Sequence, residues 1–380
     1  MPDTYELRLY DDVLMTFSLE QKGIEGLVAE LGMVDHTRSA LLPLDMDITP
    51  EGVVAWLKRR VIPKNRAFVD EILKTLGLSV NDTKGIIDVC KGLSLNDSYW
   101  VVPQSFPGTF AQYNLFENRF SEILSLVAYT GAGGSKAAFT TSPELTTNGM
   151  LPKAWRYIEG EGVCLYKGGT SGASNTGNEP YSEFYASQVA RAMGLDAVQY
   201  DLEQWKGVLA SKCALFTSID TAYVPIGRIV RSGGLKACLE YYRALSDEAY
   251  EQVRSMLVFD AVIYNEDRHF GNFGILRSSC TGEVLGAAPI FDNGLSLFNF
   301  ATQSDLEDLD AYAMTRSTPY DGISFETICK QVMGKQQLSQ LRHLIGFRFA
   351  RHPHYNLPEP RLEAIEVHLQ KRVRQLLTLL

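Results

Sequence analysis

The sequence predicts an α+β protein with a mostly antiparallel, sheet-rich lobe, a mainly helical lobe and an extra N-terminal region of mixed α/β character. From Leu115 onward, short strand-like runs alternate with glycine-rich turns, which is typical of hairpins. Beyond Gly234 the chain is chiefly helical in pattern and is interrupted by one hairpin. A stretch at 103–108 that contains proline and glycine marks the first boundary. We therefore divide the chain into residues 1–105, 106–218 and 219–380.

The N-terminal region is predicted to begin with strands and to continue with helices. Thr49 is a candidate N-cap with Pro50 in the first helical turn, and Gly77 is placed to end a second helix. The predicted elements are strands Tyr5–Tyr10, Val13–Ser18 and Tyr99–Val102, helices Pro50–Val61 and Lys64–Leu76, and a short helical element in Asn81–Asp97. No motif here indicates a function.

The sheet-rich lobe contains one clear helix, Tyr181–Met193. Pro180 lies in its first turn, and Gly194 stands where a left-handed C-terminal cap would lie. The predicted strands of this lobe are Glu122–Tyr129, Ala137–Thr141, Val163–Lys167, Ala197–Leu202 and Gly207–Thr217, with a glycine-rich turn at Gly131–Gly134. The helical lobe is predicted to contain helices Leu235–Ala244, Asp247–Tyr264, Phe325–Val332, Gln336–Ala350 and Pro360–Leu379, with a hairpin of Phe273–Arg277 and Val284–Phe291.

Composition excludes several classes of protein. The 380 residues are 45% hydrophobic and 21% charged, as in soluble globular proteins, and the net charge of −9 disfavours direct nucleic-acid binding. The longest apolar run, Met256–Tyr264, is broken by Asp260 and is too short to span a bilayer. The six cysteines are scattered without a CxxC pair, which argues against a zinc site and a disulfide framework. With no secretory signal at the N-terminus, we expect a cytoplasmic protein without a membrane contact.

The strongest chemical signal is an aspartate followed five residues later by an asparagine, Asp267 and Asn272. Protein kinases carry this spacing in their catalytic loop, where the Asp accepts or orients the substrate hydroxyl proton and the Asn binds Mg²⁺. Asn272 opens the predicted hairpin and Asp292 follows its second strand, so the two lie at one edge, where strands are about 5 Å apart. Their oxygens suit Mg²⁺. Asp292-Asn293-Gly294 is also an ordinary turn sequence. The prediction of a metal site therefore depends on the Asp267–Asn272 spacing and the Asp292 segment taken together.

A lysine and a glutamate upstream form the second signal. Lys167 ends a predicted strand, and Glu183 follows sixteen residues later in the first turn of the clear helix. In kinases, a strand lysine binds the α- and β-phosphates while a helix glutamate pairs with it. Either residue alone would be read as a surface charge; the order and spacing of the two favour a nucleotide site.

A glycine-rich segment precedes both signals and contains Gly131, Gly133, Gly134, Ser135 and Lys136. Backbone N–H groups freed by glycine conformations can bind phosphate oxygens. The segment follows neither the kinase glycine-loop pattern nor the Walker pattern, and a plain hairpin turn is an equally good interpretation.

With these residues in order, the sequence resembles the HipA-like serine/threonine kinases. That family carries T-D-x-H-x-x-N-F in its catalytic loop, a Phe-Asp metal motif after a hairpin and an N-E-Y-like start to the glutamate helix. The counterparts here are 266–273, Phe291-Asp292 and Ser182-Glu183-Phe184, and the helix ends in the family's Ala-x-x-x-Gly pattern at Ala190–Gly194. The resemblance covers roughly Ala128–Leu297.

The resemblance implies a bilobal protein-kinase-like fold that uses ATP and Mg²⁺. It makes Asp267, Lys167 and Glu183 catalytic residues, Asn272 and Asp292 magnesium ligands, and Cys213–Ser218, with Phe216, the hinge against which adenine lies. It further implies a protein substrate, an antitoxin-like protein partner, and phosphorylation of a loop serine, for which Ser135 is favoured over Thr130.

Two features depart from the family: Glu266 replaces the usual Thr, and residues 1–105 do not look like the usual N-terminal subdomain. The second departure puts the toxin–antitoxin role in doubt. Asp-Arg-His also occurs in phosphoinositide kinases, so a small-molecule or lipid kinase remains an alternative. A nucleotide-binding pseudokinase that acts as a regulatory module is another.

Overall fold

The computed structural model describes residues 3–22, 26–132, 141–173 and 175–379. Its strands are β1 (Asp3–Leu9), β2 (Asp12–Lys22), β3 (Gly26–Val34), β4 (Tyr99–Pro103), β5 (Lys153–Ile158), β6 (Gly162–Lys167), β7 (Asp201–Trp205), β8 (Val208–Ala214), β9 (Thr221–Pro225), β10 (Gly274–Ser278) and β11 (Val284–Ala287). Its helices are α1 (Pro50–Lys58), α2 (Val69–Thr75), α3 (Thr83–Cys90), α4 (Phe110–Tyr113), α5 (Glu122–Thr130), α6 (Glu179–Ala192), α7 (Ile226–Ile229), α8 (Gly234–Leu245), α9 (Asp247–Ile263), α10 (Gln303–Glu307), α11 (Leu309–Ala313), α12 (Phe325–Val332), α13 (Lys335–Arg342) and α14 (Glu359–Leu377). None of the helices in these ranges is long and apolar enough to cross a membrane.

The chain folds into two compact units. The first contains Met1–Lys167, Ala214–Val224 and Leu276–Leu285, and the second contains Gly168–Cys213, Pro225–Ile275 and Gly286–Leu380. The predicted boundaries at residues 105 and 218 separate regions by their expected roles, not by their packing. These boundaries stay a prediction. The predicted α+β class is confirmed.

The first unit is built on a four-stranded antiparallel sheet in the order β3-β2-β1-β4. Leu7 pairs with Met15 on one side and Val101 on the other, and all three side chains are buried. Helix α1 packs on β3, and helix α5 packs on α2 and β5. One continuous apolar core therefore joins residues of the N-terminal region to residues as far along the chain as Leu145.

The predicted strand Glu122–Tyr129 is wrong, because these residues form helix α5. The Ser121 side chain accepts a hydrogen bond from the Leu124 N–H and caps the helix, and Gly131 ends it in the left-handed region at φ 70°. The buried residues Leu124, Val127 and Ala128 have helical spacing. An apolar run of this length has no clear period, and the cap residues decide its conformation.

The second unit is organised around helix α9, whose residues Met256–Ile263 are all buried. Helices α6, α8, α12, α13 and α14 all pack against α9. The predicted helices at 181–193, 235–244, 247–264 and 325–332 are found within one or two residues of their predicted ends. Sequence analysis did not assign the short helices α10 and α11 or the strand β3.

The predicted hairpin after α9 is found as β10 and β11, but β11 ends at Ala287, four residues before the predicted end at Phe291. At its tip, which belongs to the first unit, the Ser278 N–H donates to the Glu283 carbonyl at 2.9 Å. At its base, which belongs to the second unit, the Ala288 N–H donates to the Gly274 carbonyl at 2.9 Å. The hairpin base thus lies between Asn272 and Asp292 along the chain.

Candidate active site

The end of helix α9 determines where the loop that carries Asp267 begins. Tyr264 caps the helix in the left-handed region at φ 52°, and the next residue, Asn265, is fully buried. The Asn265 amide donates to Asp260 Oδ1 at 3.0 Å, and its Oδ1 accepts from the Asp267 N–H at 3.1 Å. Asn265 therefore ties the residue that precedes the loop to a carboxylate inside the helix.

The loop from Asp267 to Asn272 is closed by its own hydrogen bonds. The Asp267 carbonyl accepts from the His269 N–H at 2.7 Å and from Asn272 Nδ2 at 2.8 Å. His269 Nδ1 accepts from the Gly271 N–H at 2.9 Å, so this histidine stabilises the turn. The structure thus brings the predicted base and one predicted metal ligand into direct contact through the Asp267 backbone.

Arg268 connects this loop to the segment of Asp292, and sequence analysis missed it. Its side chain is 1% exposed and forms an ion pair with Asp260 at 3.0 Å. Arg268 Nη1 donates to the carbonyls of Asn272 and Phe291, and Nη2 donates to Asn293 Oδ1 at 2.5 Å. The residues on either side of the hairpin base therefore contact the same guanidinium group.

The guanidinium of Arg268 is saturated by these contacts. A guanidinium has five N–H donors. Nε donates to Asp260, Nη1 to two carbonyls, and Nη2 to Asp260 Oδ1 at 3.0 Å and to Asn293. Burial raises the pKa of Asp260, while the charge and hydrogen bonds of Arg268 oppose that rise. Because every donor is used in this way, Arg268 positions the backbone around Asp267 and Asp292.

Asp292 lies in the left-handed region at φ 56°, and its neighbours support that conformation. The Asp292 N–H donates to the Tyr200 hydroxyl at 3.1 Å, and the Asn293 N–H donates to Glu183 Oε2 at 2.7 Å. Burial raises the pKa of Tyr200 well above its ordinary value, and the nearby Glu183 and Asp292 carboxylates add to the rise. Glu183, which is fully buried, is thereby placed beside the predicted metal motif.

The donor set suits a magnesium ion. Asn272 Nδ2 is used by the Asp267 carbonyl, so the amide oxygen Oδ1 is the atom that Asn272 can offer to a cation. Asp292 adds a carboxylate, and hard oxygen donors of this kind are what Mg²⁺ prefers. The two residues therefore fit the ion that a kinase-like site requires.

The other predicted residues belong to the first unit. Lys167 ends β6, where it pairs in register with Lys153, and it is 7% exposed. Phe216 is partly buried, and its ring packs edge-on against Tyr223 at 5.6 Å. Gly131 is the helix cap described above, whereas Gly133, Gly134, Ser135 and Lys136 lie outside the described residues. The pairing of Lys167 with Glu183 stays a prediction.

The predicted hinge segment and the residues that follow it, up to Tyr223, are held by residues of the N-terminal region. The Thr217 hydroxyl donates to the Leu95 carbonyl, and the Tyr223 N–H donates to the Asn96 carbonyl at 2.7 Å. The Ser98 hydroxyl donates to the Ile219 carbonyl at 2.6 Å. Residues 1–105 therefore form part of the support of this segment within the first unit.

Sequence analysis missed Asp260, Asn265 and Arg268 as supporting residues, although one signal for them exists. Asp260 stands inside the apolar run Met256–Tyr264, and a carboxylate that is buried with such a run requires a charged partner. The arginine eight residues later provides it. For Tyr200 and Asn293 we find no comparable signal, since their contacts join distant parts of the chain.

Comparisons with known proteins identify a relative in sequence and solved structures with a similar fold. No protein-family model matches the chain. The serine/threonine-protein kinase CtkA of Helicobacter pylori (strain J99) is 25% identical over 193 residues, which are 47% of this chain and 55% of the relative. The chain thus spans about half the length of the curated relative it matches.

Two solved structures are similar. One is the toxin HipA of Shewanella oneidensis MR-1, in a complex with HipB and operator DNA. It has a TM-score of 0.56 and 12% identity, and the match covers 98% of this chain and 97% of that chain. The other, the crystal structure of H. pylori CtkA, has a TM-score of 0.49 and 20% identity over 60% of this chain and 93% of that chain.

The HipA match leaves only 2% of this chain uncovered, so it includes nearly all of residues 1–105. The likeness in fold therefore extends into the region where the sequence departs from the family pattern. The predicted kinase-like fold is confirmed. In its motifs and in its fold, the chain resembles the HipA-like serine/threonine kinases.

Proposed function

We propose that this protein is a HipA-like kinase that transfers a phosphoryl group from ATP to a serine or threonine hydroxyl of a protein, with Mg²⁺ as cofactor. The observation that carries the proposal is the contact of Arg268 with both Asn272 and Phe291. Through it, the two candidate motifs, Asp267–Asn272 and Phe291-Asp292, are attached to the same side chain in the second unit.

In this proposal Asp267 accepts the proton of the acceptor hydroxyl. Phosphoryl transfer passes through a loose transition state, so positioning contributes more than covalent chemistry. The hydrogen bonds of the Asp267 carbonyl to His269 and Asn272, and of its N–H to Asn265, hold the backbone of this residue from both sides. The backbone that carries the base is thus in place before the acceptor binds.

Asn272 Oδ1 and the Asp292 carboxylate would hold the magnesium ion, which neutralises the charge of the transferred phosphoryl group. The left-handed conformation of Asp292 is unusual for a residue with a side chain, and it is supported by Tyr200 and, through Asn293, by Glu183. Loss of this support should move the carboxylate away from Asn272.

The nucleotide would be bound by Lys167, with Glu183 as its partner, and by the glycine-rich segment Gly131–Lys136. Phe216 in the hinge segment would lie against the adenine ring. Supporting this, Lys167 is nearly buried at the end of a strand, Glu183 is fully buried, and Thr217 of the hinge segment donates a hydrogen bond to the Leu95 carbonyl.

A protein partner also belongs to the proposal. The similar HipA structure is a complex with HipB and DNA, and a protein that occupies the HipB position would be the partner here. The net charge of −9 makes direct nucleic-acid binding by this chain unfavourable.

The test is incubation with labelled ATP and Mg²⁺, alone and with a cell lysate. Asp267→Asn and Asp292→Asn should each reduce protein labelling by about 100-fold or more while the fold stays intact. Asp292→Asn should also weaken Mg²⁺-dependent nucleotide binding, whereas Asp267→Asn should not. Asp70→Asn, a change of the same kind at an exposed position, is the matched control.

Other outcomes of this labelling experiment would indicate other functions or remove an assignment. Labelling of metabolites or lipids without labelling of proteins would identify a small-molecule or lipid kinase. Nucleotide binding without turnover would identify a pseudokinase. Wild-type labelling by the Asp267 variant would remove the assignment of the base.

A further inference from the structure

Glu266, which replaces the family's usual threonine beside Asp267, forms an ion pair with a distant loop. Its Oε2 lies 2.7 Å from Arg316 Nη1, and its Oε1 accepts from the Ser317 N–H at 3.2 Å. The two charged side chains are 29% and 21% exposed, so the pair is partly shielded from solvent. The departure at this position therefore has a defined structural partner.

The same loop contacts Arg268 and Phe270 on the other side of Asp267. The Tyr320 hydroxyl donates to the Arg268 carbonyl at 2.7 Å, and the Tyr320 ring lies 5.5 Å from the Phe270 ring. Tyr320 is buried, which makes this second attachment the stronger one. Residues 316–320 are thus attached to the catalytic loop both before and after Asp267.

Arg316 is itself held in position before it reaches Glu266. Its guanidinium lies over the Tyr312 ring at 4.3 Å, and its Nη2 donates to the Thr315 hydroxyl at 2.9 Å. Next to it, Met314 is 88% exposed and Ser317 is exposed. Residues 314–317 therefore present apolar and polar groups to solvent beside Glu266, the residue that precedes the candidate base, on a backbone that the ion pair positions.

We propose that residues 314–320 form one wall of the path by which the phosphate acceptor reaches Asp267, and that Glu266 and Arg316 are positioning residues for that acceptor. The proposal rests on the proposed kinase function. It assigns a role to the glutamate that departs from the family pattern: the pair orders the acceptor side of the site and takes no part in binding the nucleotide.

The test uses the full chain with dephosphorylated casein as a generic serine and threonine acceptor. Arg316→Ala and Glu266→Gln should each raise the acceptor KM by roughly threefold to fivefold, the range expected for a partly exposed ion pair. The KM for ATP should not change. The double variant should be no worse than either single variant, because both remove the same contact, and Arg316→Lys should recover part of the effect.

Lys236→Ala is the control, since Lys236 pairs with Glu240 at 3.9 Å on the exposed face of α8. An unchanged acceptor KM in Arg316→Ala, or an equal rise in the KM for ATP, would overturn the proposal. Absence of any ATP turnover by the wild type would count against the proposed function instead. Hydrogen exchange then tests the ion pair alone: amides of residues 315–320 should exchange faster in Arg316→Ala, and unchanged exchange would show that the pair positions nothing.

Discussion

Within the described residues, each of the two units contains an ion pair of arginine and carboxylate in which neither side chain is more than 5% exposed, and the two pairs connect very different parts of the chain. In the second unit, Arg268 pairs with Asp260, eight residues away, with side chains 1% and 5% exposed. In the first unit, Arg66 pairs with Glu144, 78 residues away, and neither side chain is exposed. Both arginines also donate to backbone carbonyls.

The partners of the two arginines show what each pair does. Arg268 binds carbonyls on both sides of the candidate metal site, whereas Arg66 binds the carbonyls of Glu144 and Lys153. Glu144 in turn accepts from the Trp155 N–H at 2.7 Å, so the Arg66 pair joins the N-terminal region to the start of β5. The pair of Arg268 and Asp260 thus positions the backbone of the candidate site, whereas the pair of Arg66 and Glu144 holds the first unit together.

The largest expected effect is that of Arg268→Ala. Removal of the guanidinium leaves the Asp260 carboxylate buried and two carbonyls without a donor, which should lower the free energy of unfolding by about 3–5 kcal/mol and abolish phosphoryl transfer. Urea denaturation and the labelling assay would measure both. The double variant Arg268→Met/Asp260→Leu should regain much of the stability but no activity, because a thioether cannot donate to Asn272 and Phe291. Recovery of activity would show that Arg268 has no role at the site.

Arg66→Ala should be comparably destabilising, by about 3–5 kcal/mol, because it leaves Glu144 buried without its cation. Burial already raises the pKa of Glu144, so the carboxylate will take up a proton more readily in this variant. At a temperature where the variant is still folded, its turnover number should stay within about twofold of the wild type. A loss of turnover as complete as that of Arg268→Ala would remove the distinction between the two pairs.

Arg277 provides an intermediate case, a buried arginine that donates to backbone carbonyls and one hydroxyl. It lies at the hairpin tip and donates to the carbonyls of Ala40, Leu42 and Gly282 and to the Tyr99 hydroxyl. Arg277→Ala should cost about 1–3 kcal/mol, less than either buried pair, since it leaves polar groups unsatisfied but no buried charge. Thermal unfolding measures the difference, and Arg342→Ala, at an exposed position on α13, is the control. If Arg277→Ala lowers the free energy of unfolding as much as Arg66→Ala does, an unpaired buried carboxylate is not the cause of the larger effect.

The smallest effect concerns pH and His368, which contacts the exposed Asp310 carboxylate at 2.9 Å. Burial lowers the pKa of His368 below its ordinary value of 6.5, although Asp310 opposes the change. As the pH falls through 6.5, the unfolded chain binds this proton before the folded chain does, so the free energy of unfolding decreases until the lowered pKa is reached. Urea denaturation at pH 7.5 and 5.5 should show a smaller decrease for His368→Gln than for the wild type. The exposed His343→Gln should behave like the wild type, and an unchanged decrease in His368→Gln would exclude this histidine as the cause.

Elements with strong local signals were predictable. Helix α6 has proline in its first turn and Gly194 in the left-handed region at φ 71°, and helix α9 begins at the cap residue Ser246, so both follow from the sequence. Helix α5 was mistaken for a strand because its apolar run is short, although Ser121 and Gly131 at its two ends are ordinary helix caps. In the candidate site, too, contacts between residues close in sequence were predictable, and contacts between distant residues were not. Asp267 and Asn272 are five residues apart and meet through one turn of backbone, whereas the contacts of Tyr200 and Glu183 with the Asp292 segment cross about a hundred residues.

By itself, the sequence determined the order of the motifs, the α+β class and the types of residue available for the proposed phosphoryl transfer. These follow from spacing and composition, which act through neighbours along the chain. Only the tertiary structure decided that Arg268 joins the catalytic loop to Phe291, that Glu266 reaches Arg316, and that Arg66 ties the N-terminal region to Glu144. The physical reason is that a buried guanidinium is stable only when carboxylates and carbonyls accept most of its N–H groups, and these acceptors come from wherever folding brings them together.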